Sequence, residues 1–120
     1  MKTLLMIAAT LLLPAAASAA DLTGAWKVDS SVGTTPITVN CRLVQTGHAL
    51  SGDCTPATGN AGPTALTGWT EGSRALWGYD VTFRGQPAHV GFIADITANG
   101  ALAGTLELSG KPSPFTAIRK

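Results

Sequence analysis

Apolar and polar residues alternate with a period of two along most of the chain beyond residue 20. This alternation is typical of β-strands that bury one face and expose the other. Eight sets of apolar or small residues follow it: Leu22/Gly24/Trp26/Val28, Ile37/Val39/Cys41/Leu43, Leu50/Gly52/Cys54, Leu66/Gly68, Trp77/Tyr79/Val81/Phe83, Val90/Phe92/Ala94/Ile96, Leu102/Gly104/Leu106/Leu108 and Phe115/Ala117. The pattern therefore predicts eight strands with these residues on their inner faces.

Turn-forming residues separate the eight sets, and most of these links are too short for the crossover that parallel strands need. They are Gly33, the stretch 56–63, Glu71-Gly72-Ser73, Gly85-Gln86-Pro87, Asn99-Gly100 and the stretch 110–114. Because closing such a meander removes both exposed edges, we predict an all-β domain built as an eight-stranded antiparallel up-and-down barrel. A two-sheet β-sandwich is the alternative, since alternation does not determine whether the first and last strands meet.

The first 20 residues have the three parts of a secretory signal peptide. Lys2 precedes a ten-residue apolar run at 4–13, and Ala17-Ser18-Ala19 offers a small-residue cleavage site. We predict a cleaved signal peptide at 1–20 and a single domain at 21–120, delivered to the periplasm or the medium. A retained membrane anchor is the alternative, but the apolar run is short for a span, and no cysteine near the cleavage site offers a lipid attachment point.

The two cysteines, Cys41 and Cys54, flank a predicted hairpin turn. If Gly47 and His48 are the central residues of a type II′ turn, positions 41 and 54 lie opposite each other. They then form a non-hydrogen-bonded pair with Cα atoms roughly 4.5 Å apart, within reach of a disulfide. A redox or metal-binding pair is the alternative, but the chain has no Cys-x-x-Cys motif and no third ligand nearby. We therefore predict a structural disulfide.

The charges of the predicted mature domain balance. Without Lys2, seven basic residues face seven acidic ones, and the basic residues are scattered except for Arg119 and Lys120. Nucleic-acid binding requires a clustered basic surface that neutralises phosphates, so we exclude nucleic acid as a partner.

His48, Ser51 and Asp53 are close in sequence and suggest a nucleophile with its base and orienting acid. The predicted hairpin, however, places His48 at its exposed tip and Asp53 on the face opposite to Cys54. These positions do not allow the geometry of a catalytic triad.

His89 falls on the outward positions of its strand, where we expect it to hydrogen-bond to Asp80 or Arg84. His48 belongs to a distant turn, so three convincing metal ligands cannot be assembled. Asp80 and Asp95 also face outward. We therefore predict a protein that is not an enzyme and holds no metal or cofactor.

The aromatic residues carry the binding hypothesis. Five lie in the inward sets: Trp26, Trp77, Tyr79, Phe83 and Phe92. They either line an open-mouthed ligand cavity or fill the interior as core, because eight strands leave an interior just wide enough for side chains. Trp69 has the outward parity near Glu71 and is expected at the barrel rim, where an indole suits a ligand mouth or a protein contact.

Four segments combine glycine turns with strand residues: Leu22-Thr23-Gly24-Ala25-Trp26, Leu43-Val44-Gln45-Thr46-Gly47-His48-Ala49-Leu50-Ser51-Gly52, Leu102-Ala103-Gly104-Thr105 and Phe115-Thr116-Ala117-Ile118-Arg119. They resemble a widespread group of small exported bacterial β-barrel proteins of unassigned function, and the resemblance covers nearly the whole mature chain. The Thr-Gly-x-Trp motif is also similar to avidins and to the barrel inhibitors of secreted bacterial metalloproteases, both calycin-like.

The avidin resemblance implies polar residues after the first-strand tryptophan and an acid near the last strand. Val28 occupies the position where an avidin has the first of these polar residues, and residues 111–120 contain no acid. Biotin is therefore not expected as a ligand. The inhibitor resemblance implies a barrel disulfide and an N-terminal tail that enters the protease cleft. After the predicted cleavage only one or two residues precede Leu22, too few to form that tail, which leaves the loop 56–63 as the blocking segment.

The sequence thus predicts an exported, soluble, non-catalytic barrel that binds a small apolar ligand or serves as an envelope accessory protein. The alternative is a protein-binding module such as a secreted-protease inhibitor. The volume of the barrel interior distinguishes a ligand-binding barrel from a solid one.

Overall fold

The computed structural model describes residues 21–120, which form a closed barrel of eight antiparallel strands. The strands are β1 (Gly24–Val32), β2 (Thr35–Thr46), β3 (Ala49–Pro56), β4 (Thr64–Glu71), β5 (Arg74–Phe83), β6 (Gln86–Ile96), β7 (Leu102–Leu108) and β8 (Lys111–Arg119). Each strand pairs with its neighbours in sequence, and β8 pairs with residues 26–29 of β1. The predicted up-and-down barrel is confirmed, and its closure excludes the β-sandwich.

The predicted signal peptide at 1–20 lies outside the described residues. Within residues 21–120, no helix has the length and hydropathy of a membrane span.

The hairpin of β2 and β3 has the predicted register. Thr46 pairs with Ala49 at the turn, and Cys41 pairs with Cys54. Gly47 has a φ of 63°, the positive value that the first central residue of a type II′ turn requires. The two cysteines form a disulfide with a Cα–Cα distance of 4.0 Å, so the predicted bridge is confirmed.

The interior of the barrel contains most of the inward residues that the alternation predicts, whereas Phe83 at the end of β5 is 38% exposed. Each strand contributes buried residues, among them Val28, Leu43, Leu50, Leu66, Ala94, Leu102 and Ala117. Close strand contacts require glycine at some inward positions. A Cβ atom at Gly68 would lie 2.0 Å from the Leu76 carbonyl oxygen and 2.7 Å from the Cβ of Trp77. Gly68 therefore gives the Trp77 side chain its place in the interior.

One end of the barrel is closed by residues 21–23, which lie near the turns after β2, β4 and β6. Leu22 is buried, and its carbonyl oxygen accepts a hydrogen bond of 2.8 Å from the Trp26 indole N–H. The Leu22 amide donates to the Gln45 side-chain oxygen at 3.0 Å. The Arg119 guanidinium lies 4.6 Å from the centre of the Trp26 ring and donates to the Thr23 carbonyl. These contacts fix the segment across the closed end.

The open end lies opposite, where an antiparallel meander places the turns after β1, β5 and β7. The loop 57–63 between β3 and β4 is at the same end and is longer than these turns. The Ala57 amide donates to the Thr38 carbonyl at 2.9 Å and attaches the start of this loop to β2. The two ends of the barrel therefore differ in how far their interior is covered.

Candidate functional site

Three aromatic side chains pack together in the middle of the barrel and are called here the aromatic cluster (Trp77, Phe92 and Phe115). The rings of Trp77 and Phe92 are stacked with centroids 4.8 Å apart. Phe115 meets Phe92 edge to face at 5.3 Å and Trp77 at 6.2 Å. Such arrangements are the favoured geometries of aromatic pairs. The aromatic cluster separates the closed half of the barrel from the open half.

A cavity of about 530 Å³ lies between the strand ends of the open half. Its wall is mainly aliphatic and is built from inward residues of β2, β5, β6 and β7: Ile37, Val39, Val81, Val90, Leu106 and Leu108. Its mouth is bordered by Val32, Pro36, Pro56, Ala57, Ala61 and Phe83. Cys54 also lines it, so the disulfide is part of the wall.

Tyr79 is the one aromatic residue that joins the aromatic cluster to the cavity. Its ring centroid lies 5.9 Å from that of Phe92, and the residue is only 9% exposed. Burial raises the pKa of Tyr79 to about 12. Among residues 21–120 we find no hydrogen-bond partner for its hydroxyl. The cavity therefore has a neutral phenol with an unused O–H near its inner end.

The aromatic residues predicted as ligand-binding divide into two groups. Tyr79 and Phe83 line the cavity. Trp26, Trp77 and Phe92 do not line it, since Trp26 packs at the closed end and the other two belong to the aromatic cluster. Some of the aromatic side chains thus fill the interior of the barrel, and others line the cavity in its open half.

Trp69 has the predicted outward orientation and is 53% exposed. It lies on the outer wall of β4, paired with Ala49 on one side and Leu76 on the other, and not among the residues at the mouth of the cavity. Together with Leu76 and Ile93 it borders a separate shallow groove of about 280 Å³. The predicted outward orientation is thus confirmed, and Trp69 lies near the closed end of the barrel. Its role in a ligand or protein contact stays a prediction.

The two histidines considered for catalysis lie on different elements, each beside its own polar partner. His89 Nδ1 lies 2.9 Å from Asp80 Oδ1, the surface hydrogen bond expected from the sequence. His48 Nδ1 lies 3.4 Å from the Thr70 hydroxyl at the hairpin tip. Among residues 21–120 there is no group of three histidine, cysteine or acidic residues placed to hold a metal ion.

The aliphatic residues of the cavity wall were not singled out from the sequence, although a signal for them exists. Ile37, Val81 and Leu108 are inward residues that lie close to the turns after β1, β5 and β7. In a meander these turns share one end of the barrel, so counting strands would have grouped the three residues there. The binding prediction was placed on the large aromatic side chains instead, and most of these lie away from the cavity.

Comparison of the chain with protein-family models, with curated proteins and with solved structures gives no match. The resemblances to exported barrels, to avidins and to metalloprotease inhibitors therefore rest on the sequence motifs alone and stay predictions.

Proposed function

We propose that the mature protein is an exported, non-catalytic binding protein that takes up a small apolar molecule in the cavity at its open end. The observation that carries this proposal is the aliphatic cavity of about 530 Å³. Its size falls within the range of about 300 to 1,000 Å³ typical of small-molecule sites. An eight-stranded barrel of this kind holds one small ligand when its own side chains leave part of the interior free.

The partition of the barrel supports binding rather than passage. The aromatic cluster blocks the interior beneath the cavity, and Trp26 with Leu22 covers the far end. A ligand that enters at the mouth therefore has to leave by the same route. Transfer of its apolar surface from water to the aliphatic wall provides the driving force.

The proposed compartment agrees with the disulfide. Cys41 and Cys54 form a disulfide that is buried in the wall of the barrel. Disulfides of this kind form in oxidising spaces such as the periplasm. The predicted signal peptide at 1–20 provides the route to that compartment.

The test compares two tryptophan substitutions in their effect on binding of the neutral fluorophore N-phenyl-1-naphthylamine. Val81→Trp places an indole in the cavity, whereas Val44→Trp places one on the outer wall, where Val44 is exposed. We expect saturable binding by the wild type, binding weakened more than 10-fold in V81W, and unchanged binding in V44W. Absence of saturable binding by the wild type, or equal binding by V81W, would contradict the proposal.

The protease-inhibitor alternative has one supporting observation, the exposed loop 57–63. An inhibitory tail is not available among residues 21–23, because these pack against Gln45 and Arg119. Absence of inhibition of every secreted metalloprotease tested by the wild type, at concentrations that saturate probe binding, would remove this alternative.

A further inference from the structure

Within residues 21–120, the cavity wall contains only apolar side chains and uncharged hydroxyl groups. The hydroxyls belong to Tyr79 and to four threonines: Thr38, Thr58, Thr64 and Thr82. Thr38 is already occupied, since its hydroxyl donates to the Asp29 carboxylate at 2.7 Å. Thr82 has the outward parity of Asp80 on β5, and Thr58 lies in the exposed loop. Two inward hydroxyls on strands remain, Tyr79 and Thr64.

Tyr79 and Thr64 differ in position. Thr64 begins β4 beside the loop 57–63, and it shares the inner face with its partner Cys54. Tyr79 is nearly buried and its ring packs against Phe92 of the aromatic cluster, so it is the deeper residue of the two. Among residues 21–120, the one fully buried side-chain polar atom without a partner is Trp77 Nε1, so the Tyr79 hydroxyl reaches the open space of the cavity. A ligand atom in that space can accept its proton.

We propose that the ligand is a neutral amphiphile whose single uncharged hydrogen-bond acceptor, such as a ketone, ester or amide oxygen, accepts the Tyr79 hydroxyl proton at the inner end of the cavity. This inference rests on the proposed function of the cavity. The apolar remainder of the ligand then extends along Val39, Val90 and Leu106 towards the mouth.

Among residues 21–120, no charged side chain belongs to the cavity lining, which favours a neutral head group over a carboxylate at Tyr79. The Arg84 guanidinium lies 5.3 Å from the centre of the Phe83 ring and is not part of the lining. An anionic head group at Tyr79 would be desolvated against apolar walls with one hydroxyl as its partner, which is costly. The Tyr79 phenol keeps its proton at neutral pH, since its ordinary pKa of 10.0 already lies well above 7 and burial raises this pKa further, so the hydroxyl acts as the donor.

The test uses three ligands of similar length that differ only in the head group: 2-undecanone, decanoate and 1-undecene. Each displaces N-phenyl-1-naphthylamine from the wild type, from Tyr79→Phe and from Thr64→Val, which removes the competing inward hydroxyl of the wall. In the wild type and in T64V we expect the ketone to bind about 5-fold tighter than the alkene and more than 10-fold tighter than the carboxylate. Y79F is expected to bind the ketone and the alkene equally and to keep the wild-type affinity for the alkene.

The outcomes separate this inference from the proposed function. Failure of all three ligands and of the probe to bind would overturn the proposed function and the inference with it. Binding of all three with equal affinity, a ketone preference that survives in Y79F, or its loss in T64V alone would overturn the inference and leave the binding function standing. In the infrared spectrum, the bound ketone carbonyl should shift to lower frequency in the wild type and not in Y79F.

Discussion

Tyr79 obtains its chemical properties from its position between the aromatic cluster and the cavity. Its ring packs against Phe92, and this burial is the cause of its raised pKa. The sequence placed Tyr79 on the inner face but gave no indication of its depth. Alternation marks the side of the sheet to which a residue points, whereas its surroundings depend on the residues that other strands place opposite it.

The titration of Tyr79 provides a prediction that involves no ligand. Since the folded-state pKa of about 12 lies above the reference value of 10.0, the folded state favours the neutral phenol. The corresponding stability is complete below pH 10 and is lost as the pH rises towards 12. The expected loss is roughly 2 to 3 kcal/mol, from two pKa units at about 1.4 kcal/mol each.

Two measurements check this prediction, and both are unambiguous because the chain has a single tyrosine. Tyrosinate absorbance should appear only near pH 12 in the folded protein. The free energy of unfolding of the wild type should fall between pH 10 and 12 by more than that of the Tyr79→Phe control. Ionisation of Tyr79 at the ordinary pH of an exposed tyrosine would contradict its burial.

At the scale of elements, the β2–β3 hairpin shows how much a short sequence can determine. Gly47 indicated the turn, the turn set the register, and the register placed Cys41 opposite Cys54. Each step depends on local backbone geometry, so the disulfide could be predicted without knowledge of the rest of the barrel. The contribution of Cys54 to the cavity wall could not be predicted in this way, because the position of the cavity depends on β4, β5 and β6.

Loss of the disulfide should lower both the stability of the fold and the affinity of the cavity for the probe. It closes a short loop, with a sequence separation of 13, and a loop of about that length contributes about 3 kcal/mol on the chain-entropy model. We expect reduction of the wild type to lower its free energy of unfolding in urea by about that amount. Probe affinity should fall as well, since Cys54 lines the cavity.

The double variant Cys41→Ala/Cys54→Ala is the control for this prediction. It should resemble the reduced wild type in stability and show no response to the reductant. If the reduced and oxidised wild-type proteins unfold at the same urea concentration, the disulfide does not stabilise the fold in this way.

At the scale of the whole molecule, the barrel is filled in one half and hollow in the other. The strand number, the antiparallel order and the inward faces could all be predicted, because alternation and short turns specify them directly. The division of the barrel into a filled half and a hollow half could not be predicted from the sequence. It arises because the bulky rings of Trp77, Phe92 and Phe115 converge at one level, whereas the strand ends beyond them bear smaller aliphatic side chains.

The most direct test of this account is an NMR titration of the methyl-labelled mature protein with 2-undecanone. We expect saturable shifts of the methyl signals of Val39, Val90 and Leu106, which line the cavity, and unchanged signals for Leu22 and Leu102 outside it. Shifts centred on Leu76 and Ile93 beside Trp69, or no saturable shift of the cavity methyl groups, would contradict a ligand-binding cavity at the open end.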